Sequence, residues 1–160
     1  TRPGIHRNRL RDPDARSQGR LQTVSCNKDE LEKSVVDADL VSGSVPTPGA
    51  KAPKLVTNER VARMKRGSVL VDIAIDQGGC FETSKPTTHD DPVYVIDGVI
   101  PFCVTNMPGA VPQTSSQAIC AAILPYVQRM ATDKNWRKYE PLKVGINVEG
   151  GKIVHPALKA

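Results

Sequence analysis

The chain has 160 residues, of which 39% are hydrophobic and 24% charged, and a formal net charge of +5; this is the size and composition of one soluble domain. It has no apolar run near the ~18–20 residues of a membrane span, and its polar, arginine-rich start is unlike a signal peptide, so we expect a cytoplasmic protein without a membrane partner. Its positive charge is concentrated at the amino-terminal end, aromatic residues are 4%, and no nucleic-acid-binding module is visible, so nucleic acid is not expected as a partner.

The first elements are readable from residue 21 onwards. Residues 21–25 predict a short strand, and Asn27, with Glu30 as its capping-box partner, predicts the start of a helix that runs to about residue 38. Residues 40–45 predict the next strand. A second helix should then begin after Thr57 and end at Gly67.

The strongest predicted strand covers residues 69–75. Its β-branched, nearly continuous apolar run is typical of a strand buried on both faces. Residues 93–96 and 99–105 predict two further strands on either side of Asp97 and Gly98.

The last part of the chain has a different pattern. Ser115 is predicted to cap a long helix with apolar residues along one side, and two short apolar runs around Gly150 and Gly151 predict a hairpin. Before this part, strands alternate with helices, as in a parallel sheet with crossover helices. We therefore predict an α/β fold with a doubly wound parallel sheet, followed by a helix and a hairpin.

The sequence contains no GxGxxG turn. In dinucleotide-binding sheets this turn follows the first strand and lies ~20 residues before an acidic residue that binds the ribose. We therefore expect an incomplete Rossmann-type sheet that lacks its first strand and turn.

Three loops should lie at the ligand edge of such a sheet, because ligands bind beyond the carboxyl ends of the strands. They are residues 45–52, 76–79 and 105–110. Asp76 either orients a substrate amine or a nicotinamide group, takes part in proton transfer, or simply caps the turn that follows it. The neighbouring glycines would let a ligand approach the backbone closely.

Other polar residues are more ambiguous. Asn106 and Met107 either offer an amide and an apolar wall to a ligand or form an ordinary turn. The lysines of residues 49–54 suggest a phosphate cradle, but no Walker pattern supports it. His89 is interpreted as a surface residue of a polar loop, with a general base as the alternative.

The cysteines do not form a metal-ligand pattern. No CxxC pair occurs among them, and no histidine stands at ligand spacing, so we predict free thiols and no metal. Cys80 follows two glycines in a loop, which leaves a reactive thiol as the alternative there. The four are Cys26, Cys80, Cys103 and Cys120.

Several segments together resemble the alanine dehydrogenases, in the same order along the chain. They are residues 48–56 (PGAKAPKLV), 64–80 (MKRGSVLVDIAIDQGGC), 86–92 (PTTHDDP), 97–99 (DGV), 103–112 (CVTNMPGAVP) and 150–157 (GGKIVHPA). The resemblance extends roughly from Leu10 to Ala160. The transhydrogenase alpha subunit has a segment similar to residues 48–55, but residues 75–79 and 106–108 resemble the dehydrogenase branch.

The resemblance implies reversible oxidative deamination of L-alanine to pyruvate and ammonia with NAD, by a cytoplasmic homohexamer. It implies an NAD-binding part at residues 1–112 and a part of the substrate domain at residues 113–160. An NAD(H)-binding domain of a transhydrogenase alpha subunit and an inactive truncated product are the alternatives. Because the family's substrate lysine and arginine and its catalytic histidine belong to an amino-terminal domain, we expect this chain to be a carboxy-terminal fragment with little activity of its own.

The resemblance also implies roles for individual residues. Asp76 matches the catalytic aspartate. The other implied cofactor-binding positions are Val45, Ile73, Asn106 and Met107 around the nicotinamide, with Ser25 and Cys26 near the adenosine and Arg9 close to its ribose. The family's ribose-binding aspartate aligns with Gly4, so the sequence does not distinguish NAD from NADP.

Overall fold

A computed structural model of the protein describes residues 2–4, 15–18, 20–25, 27–45 and 51–159. The described residues form two compact units. The first contains the described residues up to Val45 together with Ala52–Thr105, and the second contains Lys51 and the described residues from Asn106 onwards.

The first unit is built on short parallel strands. In chain order its elements are β1 (Arg2–Gly4), β2 (Thr23–Ser25), α1 (Lys28–Val36), β3 (Leu40–Gly43), α2 (Asn58–Ala62), β4 (Val69–Asp72) and β5 (Ile100–Phe102). Strands β3, β4 and β5 form a three-stranded parallel sheet in that order, and β1 pairs with β2 in a separate parallel pair. The predicted α/β class and parallel sheet are therefore confirmed.

Helix α1 begins as its sequence predicts. The Asn27 side chain accepts a hydrogen bond from the Glu30 backbone N–H at 2.8 Å, which satisfies one of the free donors of the first turn. Helix α2 begins differently, because Thr57 makes no side-chain cap bond with the described residues. The carboxylate of Glu82 instead accepts from the Asn58 backbone N–H at 2.8 Å.

The core of this unit lies between the sheet and the two helices. Glu32 of α1 pairs with Arg60 at 3.4 Å and with Arg63, which links the helices at the rim of the core. The buried apolar cluster consists of Val35, Ala52, Val56, Val61, Met64, Leu70, Ala74, Cys80, Phe81 and Val99. Leu70 has no exposed surface, so truncating it to alanine would cost about 2–5 kcal/mol.

Several predicted strands are shorter in the structure or absent; of residues 99–105, only Ile100–Phe102 (β5) form a strand. The strand predicted at residues 69–75 ends at Asp72, because the Asp72 carboxylate accepts from the Ala74 N–H and turns the chain out of the sheet. Residues 93–96 are not a strand. They form isolated bridges in a tight hairpin around Asp97 and Gly98, whose φ angles are +53° and +83°.

The second unit contains a long helix and a hairpin. Its elements are α3 (Pro112–Thr132), α4 (Glu140–Lys143), β6 (Val148–Glu149) and β7 (Lys152–Ile153). The helix begins three residues before Ser115, the predicted cap, because Pro112 suits the first helical turn. The Ser115 hydroxyl donates instead to the Pro108 carbonyl at 2.9 Å.

The predicted hairpin is confirmed. Strands β6 and β7 are antiparallel, and Gly150 and Gly151 connect them with φ angles of +55° and +76°. Within the described chain, no helix has the combination of length and apolar content required to cross a membrane.

Candidate functional site

Strands β3 and β4 end side by side, and this end of the sheet is here named the carboxyl edge. Gly43 pairs with Asp72 in the parallel register, and the Ile73 N–H donates to the Gly43 carbonyl at 2.8 Å. Val45 and Ile73 therefore follow the same edge. Val45 is half-buried, whereas the Ile73 side chain is 51% exposed. An exposed β-branched side chain here offers an apolar wall to a ligand.

Asp76 lies in a 3₁₀ helix, Ile75–Gln77, in the loop of residues 73–84 that follows β4, named here the Asp76 loop. The sequence suggested that Asp76 directly follows the strand, but β4 ends at Asp72. Its side chain is exposed and has no hydrogen bond or ion pair with any described residue. The turn after it is closed by backbone bonds, from the Gly78 N–H to the Ile75 carbonyl at 2.9 Å and from the Gly79 N–H to the Ala74 carbonyl at 3.0 Å. Asp76 is therefore not the cap of this turn.

Gly78 and Gly79, which follow Asp76, differ in the space that surrounds them. Both adopt positive φ angles, +90° at Gly78 and +77° at Gly79. A Cβ at Gly78 would meet no described atom within 4 Å, so the loop surface is open there. A Cβ at Gly79 would lie 2.7 Å from Asp72 Oδ2, so this position has no space for a side chain.

A neighbouring segment, residues 52–56, holds the Asp76 loop from outside. The Ala52 N–H donates to the Gln77 carbonyl at 2.9 Å, and the Leu55 N–H donates to the Cys80 carbonyl at 2.8 Å. The Lys54 ammonium donates to the Gly78 carbonyl at 2.7 Å and to the Phe81 carbonyl at 3.0 Å. Lys54 thus binds carbonyls of the loop, which argues against its use in a phosphate cradle.

Asp72 is a site residue that sequence reasoning missed. It has no exposed surface, and its carboxylate accepts from the Ala74 N–H at 3.0 Å, from the Cys80 N–H at 2.9 Å and from the Ser84 hydroxyl. A lone acidic residue within an apolar β-branched run was the available signal, because buried carboxylates are rare without several donors.

The environment of Cys80 excludes a reactive thiol. Cys80 has no exposed surface. Burial, together with the nearby Asp72 carboxylate, raises the pKa of the thiol to about 12. The reactive alternative at this position is therefore wrong, because the thiolate is the nucleophilic form. Cys103 is also a buried free thiol, Cys120 is an exposed one, and Cys26 lies outside the described residues.

Tyr94 is a second group near the loop with a raised pKa. Its hydroxyl donates to the Thr83 carbonyl at 2.7 Å and accepts from the Lys85 N–H at 2.9 Å. Burial, and then the contact with Cys103, raise the pKa of Tyr94 to about 12. This phenol is therefore a neutral structural link and not a base at ordinary pH.

The remaining predicted residues lie in the second unit, at undescribed positions or, for His89, in the first unit. Asn106, at φ +51°, is exposed, and Met107 is half-buried at the start of the 3₁₀ helix Met107–Ala110. Arg9 lies outside the described residues, as does the centre of the predicted 45–52 loop. His89 is exposed, as predicted.

The described ranges contain no cluster of three or more His, Cys, Asp or Glu side chains that would hold a metal ion. The fold and the carboxyl edge therefore define an α/β protein with a parallel sheet, in which an exposed carboxylate follows the central strand.

The chain belongs to the family described as "Alanine dehydrogenase/PNT, C-terminal domain", whose sequence profile matches residues 4–156. It is 53% identical over 154 residues to an alanine dehydrogenase of Halomonas elongata, covering 94% of this chain and 41% of that protein. It is 51% identical over 155 residues to an alanine dehydrogenase of Mycolicibacterium smegmatis, covering 94% of this chain and 42% of that one. The chain thus spans about two fifths of the length of these relatives.

The solved structures that share the fold include two with different degrees of likeness to the chain. One is an L-alanine dehydrogenase, with a TM-score of 0.82 and 41% identity, covering 98% of this chain and 44% of that one. The other is a transhydrogenase from Sinorhizobium meliloti, with a TM-score of 0.72 and 24% identity, covering 97% of this chain and 42% of that one. At the latter identity the likeness concerns the fold alone.

Proposed function

We propose that this protein acts in the reversible oxidative deamination of L-alanine to pyruvate and ammonium, with NAD as the oxidant. In balanced form, L-alanine, NAD⁺ and water give pyruvate, ammonium, NADH and a proton. The observation that carries the proposal is the exposed carboxylate of Asp76, which is unpaired among the described residues and lies beyond the carboxyl edge of a parallel sheet, in a chain of this family.

The carboxyl edge fits the nicotinamide end of NAD. The exposed Ile73 side chain and the half-buried Val45 supply apolar surface for a ring, and Asp76 supplies an acceptor for a carboxamide or an amine. NAD, when bound, accepts the hydride. In the proposal, Asn106 and Met107 bind the same end of the cofactor, while Arg9 and Cys26 bind its adenosine side.

Asp76 would orient the reacting groups or hold a proton close to the substrate amine. An exposed carboxylate that accepts a hydrogen bond from none of the described donors is available for this role. Further parts of the proposal are an NAD-binding role for residues 1–112, a substrate-domain role for residues 113–160, and a cytoplasmic homo-oligomer. They are supported by the family membership and by the likeness to an L-alanine dehydrogenase.

The test is alanine-dependent reduction of NAD, and of NADP in parallel, at alkaline pH. The assay uses the protein expressed from its complete reading frame beside the 160-residue chain. We expect Asp76→Asn to lower kcat by about 100- to 10,000-fold and the control Asp90→Asn, at an exposed carboxylate of another loop, to leave it unchanged.

Each outcome decides between the alternatives. Activity in the complete product alone would support the proposal and show that the 160-residue chain is inactive by itself. No activity with alanine, but hydride exchange between NADH and an NADP analogue, would replace the proposal with a transhydrogenase NAD(H)-binding domain. Inactivity in both assays would leave an inactive product.

A further inference from the structure

The Asp76 loop is held from inside by one buried carboxylate. Asp72 Oδ1 accepts from the Ala74 N–H, near the start of the loop, and Oδ2 accepts from the Cys80 N–H, six residues further on. The Ser84 hydroxyl donates to Oδ2 at the end of the loop. Asp76 lies between the first two of these bonds.

The contact requires a carboxylate and not only a polar side chain. Its two oxygens accept from two backbone N–H groups at once. An asparagine has one carbonyl oxygen, so it would place an NH₂ group against either the Ala74 or the Cys80 N–H. The donor left without an acceptor would be buried, at a cost of about 1–3 kcal/mol.

The surroundings leave no space for another arrangement. Asp72 has no exposed surface, and a Cβ at Gly79 would lie 2.7 Å from Oδ2 and 2.8 Å from Ser84 Cβ. The 52–56 segment binds the loop from the other side through the Gln77 and Cys80 carbonyls. The loop is therefore fixed at both ends, while the Asp76 side chain makes no hydrogen bond or ion pair within the described part of the chain.

We propose that Asp72 is a positioning residue for Asp76: its carboxylate fixes the backbone of the Asp76 loop and thereby places the Asp76 side chain beyond the carboxyl edge. The role of Asp76 in this statement rests on the proposed function. A group that must act on a substrate amine within hydrogen-bond reach loses rate when it is displaced by about 1 Å, by up to roughly 100-fold.

The test compares Asp72→Asn with Asp97→Asn in the protein expressed from its complete reading frame. Asp97→Asn is the same isosteric change at an exposed turn with φ +53°, a conformation that asparagine tolerates. We expect Asp72→Asn to lower kcat by about 10- to 100-fold with a smaller change in KM for alanine. The amides of residues 74 and 80 should exchange with deuterium faster than in Asp97→Asn, whereas those of β4 and β5 should not.

A double variant separates positioning from general destabilisation. If Asp72 acts through Asp76, adding Asp72→Asn to Asp76→Asn lowers kcat by less than 2-fold, or about 0.4 kcal/mol. A merely structural residue would lower kcat by the same factor in both backgrounds. An equal factor, or unchanged exchange at residues 74 and 80, would overturn the proposal.

Ser84→Ala covers the case in which Asp72→Asn does not fold. It removes one donor from Oδ2 and keeps both backbone bonds, so we expect kcat to fall by about 5-fold, as for one hydrogen bond. Unchanged kcat and unchanged exchange in this variant would also overturn the proposal. If the unmutated protein does not oxidise alanine, the proposed function fails and the link to Asp76 fails with it, whereas the exchange rates still decide whether Asp72 holds the loop.

Discussion

Alkylation of the folded protein with iodoacetamide should modify Cys120 long before Cys80. Cys120 is exposed on α3, whereas Cys80 is fully buried beside the Asp72 carboxylate. The reactive form is the thiolate, so both its population and its access to the reagent determine the rate.

The small thiolate population of Cys80 is alone sufficient to predict a large difference between the two alkylation rates. The pKa of Cys80 is raised from 9.0 to about 12 by burial and by the Asp72 charge. At pH ~8 the thiolate fraction is therefore lower than that of an ordinary thiol by about 1000-fold. Burial of the sulfur slows the reaction further, because the reagent must wait for the loop to open.

The assay is peptide-resolved mass spectrometry of the alkylated protein over time. Unfolding in urea is the control, since it should bring the two rates together. In the folded protein, Asp72→Asn should speed alkylation of Cys80, because it removes the charge that opposes the thiolate. A Cys80 rate within about 10-fold of the Cys120 rate in the folded protein would refute the assignment of Cys80 as an inert core thiol.

Three further predictions concern stability. Gly43→Ala would place a Cβ 2.6 Å from a core aromatic ring atom and should lower the free energy of unfolding in urea by about 1–3 kcal/mol; Gly145→Ala, where the nearest atoms lie at 3.5 Å, is the control and should change it little. The folded-state pKa of Tyr94 is raised from 10.0 to about 12, so the contribution of its hydroxyl to the free energy of unfolding is complete below pH 10 and is lost as the pH rises through 12. Tyr94→Phe should therefore flatten the alkaline decline of the free energy of unfolding, and an unchanged slope would contradict this. The Arg63 hydrogen bond lowers the pKa of Glu32, so the contribution of the Glu32 carboxylate to stability is present above pH 4.5 and is lost as the pH falls through the lowered value. Glu32→Gln should make urea midpoints less sensitive to acid, and an unaltered acid slope would show that the pair is not formed in solution.

The sequence predicts the elements whose signals are local. The Asn27 cap depends on residues three apart, and the hairpin at Gly150 and Gly151 depends on two glycines with positive φ angles. The start of α2 after Thr57 was also predicted, but the source of its capping bond was not, because that bond comes from Glu82, which is distant in sequence. The predicted strand was longer than β4, because residues 73–75 continue its apolar pattern although Asp72 already turns the backbone out of the sheet.

The candidate site was predicted in part for the same reason. A carboxylate that follows a predicted strand and precedes Gln77 and two glycines pointed to Asp76 as a residue of the ligand edge, and the structure shows its side chain exposed in the loop after β4. The importance of Asp72 depends on donors at Ala74, Cys80 and Ser84 that only the folded loop brings together. The inert state of Cys80 likewise follows from burial and from that carboxylate, neither of which its sequence neighbours show.

Asp72 and Asp76 lie close together in the sequence, yet their environments give them opposite roles. Asp72 uses its oxygens on the protein's own donors, so it stabilises a backbone shape and is not available to a substrate. Asp76 is exposed and engages no described side chain or backbone donor, so it contributes little to stability and is available for chemistry. This division makes a stability measurement informative about function: Asp76→Asn should leave the free energy of unfolding within about 0.5 kcal/mol, whereas Asp72→Asn should lower it by about 1–3 kcal/mol. A large stability loss in Asp76→Asn would mean that Asp76 is a structural residue, and the proposed chemistry would then need another group.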